Sequence, residues 1–280
     1  MDNSFNEIEK PSLFEDEVRK GERFEFGKNW AAFLSTLDDG RISVAENSLK
    51  EMLGVEDLAG KTFLDAGSGS GLFSLVARRL GANVTSFDYD PSSVACATEL
   101  RSRFFPDDNN WDIKRGSVLD TEFLGTLGKF DIVYSWGVLH HTGSMWDAFE
   151  NAGNLVKPNG LLFISIYNDQ GRVSKFWWQV KKIYCSSIIG KLLMCGIFFP
   201  YFFFRSLMSS VVRRENSFAS YRKNRGMSIV HDWYDWLGGF PFEVAKAEEI
   251  FLFYKERGFT LQNLITTNSL GTNQFVFIKD

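Results

Sequence analysis

The chain has 280 residues, 44% of them hydrophobic and 24% charged, which excludes both a disordered polymer and a small scaffold that needs disulfide or metal staples. Its formal net charge is -4, which as an average offers no attraction to anionic partners. Phenylalanine alone supplies 28 residues, so apolar surfaces beyond one core are expected.

The opening stretch is acidic and has no apolar run, so neither a signal nor a transit peptide is expected, and a cytoplasmic protein is the default. Residues 1–60 read as helical. Trp30, Phe33, Leu34 and Leu37 recur at helix spacing, and a second such stretch, 45–53, ends at Gly54. From Thr62 short apolar runs alternate with helices. Strands are expected at 62–66, 83–88, 111–116, 130–135 and 161–167, with helices such as 72–80, 92–104 and 146–156 between them. Continuously apolar runs suit parallel strands covered on both faces, which predicts a doubly wound α/β sheet. Pro158-Asn159-Gly160 reads as a turn leading into the fifth strand.

The alternation stops near Gly171. From Arg172 to Gly226 there are 11 Lys and Arg and one acid, Glu215, so this segment carries +10 and the rest of the chain -14. The same segment holds the longest apolar run, 183–204, which ends in FFPYFFF. Two helices with a break at Pro200 are expected. A helix at 244–257 ends at Gly258, and strands at 260–267 and 273–279 close the chain as an antiparallel hairpin. Cys96, Cys185 and Cys195 form no CxxC pair, so neither a zinc site nor a disulfide framework is indicated.

One motif carries cofactor chemistry. Asp65-Ala66-Gly67-Ser68-Gly69-Ser70-Gly71 runs from a strand into a helix. Glycines let the backbone turn sharply and approach a ligand, and the helix offers free N–H groups there. The spacing Gly67-x-Gly69-x-Gly71 departs from the dinucleotide pattern, which disfavours a dehydrogenase. About twenty residues after the loop the second strand ends in Asp88, where a carboxylate can accept both ribose hydroxyls.

In order and spacing, LDAGSGSG, SFDYD, GSVLD (116–120), FDIVYSWGVLHHTG (130–143) and LVKPNGLLFISIYN (155–168) resemble the class I S-adenosylmethionine-dependent methyltransferases, in particular their bacterial small-molecule, ubiquinone-biosynthesis-type branch. The resemblance implies a Rossmann-like seven-stranded sheet with a C-terminal antiparallel hairpin and a helical insertion. It implies S-adenosyl-L-methionine as cofactor and S-adenosyl-L-homocysteine as product. Gly67, Ser68 and Gly69 would then line the methionine portion, with Asp65 and Gly71 as further cofactor-binding residues of the same loop. Asp88 would bind the ribose and Tyr89 lie on the adenine, with Ser117 and Val118 at its edge. Ser135 and Trp136 would face the sulfonium, and Trp30 would fold over the cofactor. The corresponding organisation is a helical segment (1–60), a cofactor-binding core (61–171), a basic aromatic insertion or lid (172–243) and a closing helix and hairpin (244–280).

Methyl transfer to a hydroxyl oxygen by in-line displacement needs alignment and a proton acceptor. His140 and His141 follow the fourth strand, where an acceptor would approach, and are candidate general bases. Some quinone-type relatives hold a divalent cation here with an acid and a His; this chain has His140 in place of the acid, so no metal is predicted. Tyr167 and Asn168 lie at the end of the fifth strand, and Arg225, Asp232, Asp235 and Trp236 belong to an aromatic, acidic, loop-like stretch suited to a lid or pocket wall. Arg225 could equally pair with Asp232 or Asp235.

The partners implied are a small-molecule or lipid-linked acceptor and, through 172–226, peripheral contact with the inner face of a membrane. A helical cap over the site is the favoured reading of that block, and membrane contact is compatible with it. A full span is disfavoured by Lys191 and Pro200. The +10 block also raises RNA methylation, but the fourth strand lacks an Asn/Asp-Pro-Pro-aromatic motif and nucleic acid is disfavoured. The alternative class is a non-catalytic S-adenosylmethionine-binding membrane adaptor. Nothing in the sequence indicates an oligomeric state.

Overall fold

The computed structural model describes residues 13–213 and 229–280. Among the described residues three helices, α1 (Leu13–Arg19), α2 (Gly27–Leu34) and α3 (Asp39–Leu53), precede the sheet. Asp38 caps α3 by accepting from Arg41 N–H, and Gly54 ends it in the left-handed conformation, φ 68°. Next come β1 (Thr62–Ala66), α4 (Leu72–Arg79), β2 (Asn83–Asp88), α5 (Pro91–Phe104), β3 (Trp111–Arg115), α6 (Thr121–Gly125), β4 (Phe130–Trp136), α7 (Met145–Asn154) and β5 (Val156–Tyr167). The insertion contributes α8 (Arg172–Ser186), α9 (Ile188–Arg213) and α10 (Ile229–Gly238). Helix α11 (Ala247–Lys255) and strands β6 (Phe259–Ile265) and β7 (Thr272–Lys279) close the chain.

The seven strands lie in the order β3-β2-β1-β4-β5-β7-β6. β1 to β5 are parallel, and β7 runs antiparallel to both β5 and β6. The doubly wound sheet and the closing hairpin therefore match the expectation. Adjacent residues of a strand point to opposite faces. Phe63, Tyr134 and Phe163 enter the core under α3, α4 and α5, while Leu64, Val133 and Ile164 enter the core under α7 and α11. The chain order reverses between β1 and β4, which opens a crevice at their carboxyl ends, the position where sheets of this kind bind ligands.

Four readings of the sequence are corrected. Pro158-Asn159-Gly160 lies within β5 rather than before it. The register jumps from Phe130↔Val156 to Ile132↔Leu161, and Asn159 takes φ 60°. The turn residues make a bulge in a strand that begins early, because Phe130 N–H already bonds Leu155 O at 2.8 Å. Helix α9 does not break at Pro200. Phe198 and Phe202, on either side of that proline, both pack on Trp177 (ring centroids 5.2 and 6.3 Å) and hold the helix continuous. The break falls at Ser187, which is extended (φ -167°, ψ 163°), and whose hydroxyl accepts from Gly190 N–H at 3.1 Å as a helix cap. The stretch read as loop-like is helical over Ile229–Gly238, since Trp233, Tyr234 and Leu237 recur at helix spacing toward a third cluster with Trp177, Tyr184 and Phe202. Finally, α11 starts at Ala247 rather than residue 244. Ala245 bridges to Asn168, and Glu249 accepts from Lys246 N–H at 2.9 Å to begin the helix.

Candidate active site

After β1 the chain turns through Gly67-Ser68-Gly69-Ser70-Gly71 into α4. Gly67 and Gly69 are left-handed, φ 82° and 53°. A Cβ on Gly67 would lie 2.3 Å from Val138 Cγ1, and one on Gly69 3.0 Å from Trp30 Nε1. The loop is thus pressed between the segment after β4 and helix α2, and only glycine fits these positions. Gly67 and Ser68 N–H anchor the loop on Phe87 O at 2.8 and 3.0 Å.

Asp88, at the end of β2, accepts from Gly69 N–H at 2.9 Å and from Asp90 N–H at 2.9 Å. Burial raises its carboxyl to about 6, against the pull of these N–H donors. The Ser68 hydroxyl is buried and has no hydrogen-bond partner among the described residues. Asp65 is 2% exposed and accepts from Ser74 Oγ at 2.6 Å; burial raises it to about 7. It therefore braces the loop from beneath, through the first turn of α4.

Tyr89 is packed edge-on by Phe14 (5.3 Å), faced by the Arg23 guanidinium (5.0 Å), and donates to Glu17 at 3.4 Å. Gly116 N–H bonds Asp88 O at 3.0 Å, which brings Ser117 and Val118 beside Asp88. Ser117 Oγ accepts from Leu119 N–H, and Val118 O accepts from Asn151 Nδ2. Ser135 is buried and donates to Ala66 O at 2.8 Å, tying β4 to β1; Trp136 beside it is exposed. These groups suit S-adenosylmethionine. The close-approach backbone and orphaned Ser68 hydroxyl match an amino-acid moiety, the buried Asp88 carboxyl a pair of hydroxyls, and the Tyr89 ring a planar base.

The acceptor side is aromatic. The His140 and His141 rings lie 4.4 Å apart, and Tyr167 packs on them at 4.3 and 5.6 Å. Phe26 of the N-terminal segment reaches His141 at 5.0 Å, and Trp236 and Phe242 reach Tyr167 at 5.9 and 5.3 Å. His141 Nδ1 sits 2.6 Å from Pro241 O. A carbonyl only accepts, so Nδ1 carries the proton and Nε2 carries the lone pair. His140 Nδ1 is buried without a hydrogen-bond partner among the described residues. Burial, reinforced by the other histidine and by Lys181, holds His140 well below the usual range; burial, with Lys181 and Arg23, lowers His141 to about 3.

Of the expected acceptor residues, Tyr167 and Trp236 join the histidines. Asp235 accepts from Asn29 Nδ2 and so ties α10 to α2. Asn168 turns to the C-terminal hairpin, where it donates to Thr267 O at 2.8 Å and accepts from Asn273 at 3.2 Å. Arg225 and the Asp232 side chain lie outside the described residues, and so does their pairing. Two residues at the site were not read from the sequence. Lys181 is fully buried, donates to Trp236 O, and lies 4.4 Å from the Trp236 ring and 4.9 Å from that of Phe242. It hid among the basic residues, although its spacing from Trp177 and Tyr184 puts it on their helix face. Arg23 bonds Glu17 at 2.5 Å and His141 O at 3.0 Å and covers Tyr89, joining the N-terminal segment to both halves of the site.

Comparison with known proteins bears on the family and the fold. A ubiquinone biosynthesis O-methyltransferase of Xanthomonas oryzae pv. oryzae is 37% identical over 112 residues, 40% of this chain and 45% of that protein. Its counterpart in Methylobacterium sp. is 32% identical over 120 residues, 42% and 46% of the two chains. The chain therefore spans about half the length of these curated relatives. The solved magnesium protoporphyrin IX methyltransferase of Synechocystis PCC 6803, with bound S-adenosylhomocysteine, shares the fold at a TM-score of 0.53 and 14% identity, over 97% of this chain and 89% of that one. The pattern of the methyltransferase domain family matches residues 40–226, more than half of the sequence, and the chain belongs to that family.

Proposed function

We propose that the protein transfers a methyl group from S-adenosylmethionine to an acidic hydroxyl of a small or lipid-linked acceptor. The observation that carries the reading is the meeting, at the carboxyl edge of β1, β2, β4 and β5, of the glycine loop and Asp88 with the His140-His141-Tyr167-Lys181 cluster. S-adenosylmethionine, when bound, supplies an electrophilic methyl group and a neutral leaving group. Gly67, Ser68 and Gly69 hold the amino-acid end and Asp88 the ribose hydroxyls. Tyr89, Ser117 and Val118 border the adenine, and Trp30 covers the loop and excludes water. Ser135 holds β4 against the loop, and Trp136 stands at the mouth of the acceptor side.

His141 is the better placed base, because its Pro241 contact leaves Nε2 as an acceptor. A histidine lowered by burial is a weak base, which suits an acceptor whose hydroxyl is itself acidic, such as a phenol. The Lys181 ammonium offsets the charge that develops on its oxygen. The names of the partial relatives support oxygen as the atom methylated. Three free thiols are consistent with a reducing compartment such as the cytoplasm.

The test pairs calorimetry with S-adenosylhomocysteine and a search, in cells lacking the protein, for a compound short of one methyl group. His141→Gln is expected to retain ligand binding while lowering methylation about a hundred-fold or more. Failure to bind S-adenosylhomocysteine sinks the cofactor assignment. Unchanged methylation by the variant sinks the base.

A further inference from the structure

We infer that α9 is a docking surface for an anionic lipid bilayer, on which it lies in the interfacial plane rather than crossing it. A helix on the surface of a soluble domain turns its apolar stripe inward and its charges outward. Helix α9 is apolar on both sides. Met194 and Phe202 are buried against α8 and α10, yet Ile189 (75% exposed), Leu192 (66%), Leu193 (54%), Ile197 (53%), Phe204 (61%) and Met208 (63%) face outward. The stretch Ile188–Ser210 is long and apolar enough for a membrane, and only 17% of its most apolar window is buried by the protein. Helix α8 continues the surface with exposed Val173, Phe176 and Ile183. A contiguous apolar face of this kind marks an interaction site.

Charge identifies the occupant. From Arg172 to Arg213 the sequence has no acid, while the body of the chain is acidic. Lys175, Lys182, Lys191 and Arg205 are exposed beside the apolar residues, where they reach headgroup phosphates. A second copy of the chain would bring its own +10 segment onto this one, and like charges oppose that pairing.

Two features set the helix flat. Phe198 and Phe202 pack on Trp177, and Phe202 also on Trp233 (5.7 Å), so one side of α9 is sealed by protein. Pro200 has no N–H to give the carbonyl of Gly196. In hydrocarbon that carbonyl would carry a heavy cost, whereas at the interface it meets water. Lys181 and Trp177, on the inner face of α8, both contact Trp236 of the acceptor side (4.4 and 5.1 Å), so a surface-bound enzyme would meet a lipid-borne acceptor from the membrane. The docking itself does not depend on the methyl-transfer reading.

The test is co-sedimentation of the full chain with vesicles of phosphatidylcholine alone or mixed with phosphatidylglycerol. Binding to the mixed vesicles, weakened by salt, is expected. Leu193→Glu with Ile197→Glu, and separately Lys191→Glu with Arg205→Glu, should each weaken it about ten-fold or more, with circular dichroism unchanged. The charge-reversal pair alters only exposed side chains, so it remains informative should the apolar pair misfold. Absence of vesicle binding by the folded wild-type chain overturns the proposal. So does a soluble dimer, seen by light scattering, that the apolar pair converts to monomer, for then the face belongs to a second copy.

Discussion

Asp88 is held ready for donors rather than saturated by them. Two backbone N–H groups reach its carboxylate, yet burial still lifts the group to about 6. Only the ionised form has acceptor capacity for both ribose hydroxyls, so ligand and proton compete for it. S-adenosylhomocysteine is therefore expected to bind more weakly as the pH falls through about 6. Asp88→Asn should cost about ten-fold or more in affinity, the scale of a hydrogen bond to a charged acceptor, ~1.5 kcal/mol. The variant should also lose the pH dependence. Calorimetric titration over this range measures both. Equal affinity in the two proteins would remove Asp88 from the binding role. Asp65, near the end of β1 but sealed under α4, is a support in this geometry, although the sequence grouped it with the cofactor-binding residues. Burial and the Ser74 hydroxyl set it apart.

At the level of elements, the junction between α8 and α9 rests on Ser187. Its hydroxyl satisfies a free N–H of the first turn of α9, and Ser187→Ala is expected to cost about 1 kcal/mol, lowering Tm by roughly 2–4 °C for a chain of this size. Thermal unfolding by circular dichroism measures it, and no change would deny the cap. This junction also shows where the sequence was legible. The parallel core was plain because short apolar runs, glycine turns and helix periodicity agree in every βα unit. Pro200 outweighed the quieter Ser187 because a proline penalises a helix locally, whereas the packing of Phe198 and Phe202 that overrides it is tertiary. Likewise Asn168 follows β5 in sequence but is claimed by Thr267 and Asn273, 99 and 105 residues away in the chain. Lys181 read as one more surface charge. Its role emerged only when α10 and the 240–243 segment closed around it.

The whole molecule sums opposing protonations at one crevice. In the unfolded chain, His140 and His141 take up protons below about 6.5, while in the fold burial keeps them neutral. Their contribution therefore makes stability rise with pH up to that value. Asp65 and Asp88 act in the other sense. Unfolded, they ionise near 3.8; folded, they keep protons to about 7 and about 6. Their contribution is fully present below the unfolded value and is lost as pH rises through the folded ones. The two pairs offset each other, so Tm should vary little between about pH 4 and 7. Asp65→Asn breaks the balance. Its amide oxygen still accepts from Ser74, but nothing at that position ionises, so the falling contribution disappears. The variant should gain on the wild type as pH rises, by at least about 3 °C in Tm at pH ~8 relative to pH ~5, the shift that ~1 kcal/mol produces at this chain length. Calorimetric scans at the two pH values decide it. Parallel curves for variant and wild type would mean that Asp65 keeps an ordinary carboxyl in the fold, and that the acid pair does not set the pH response of this site.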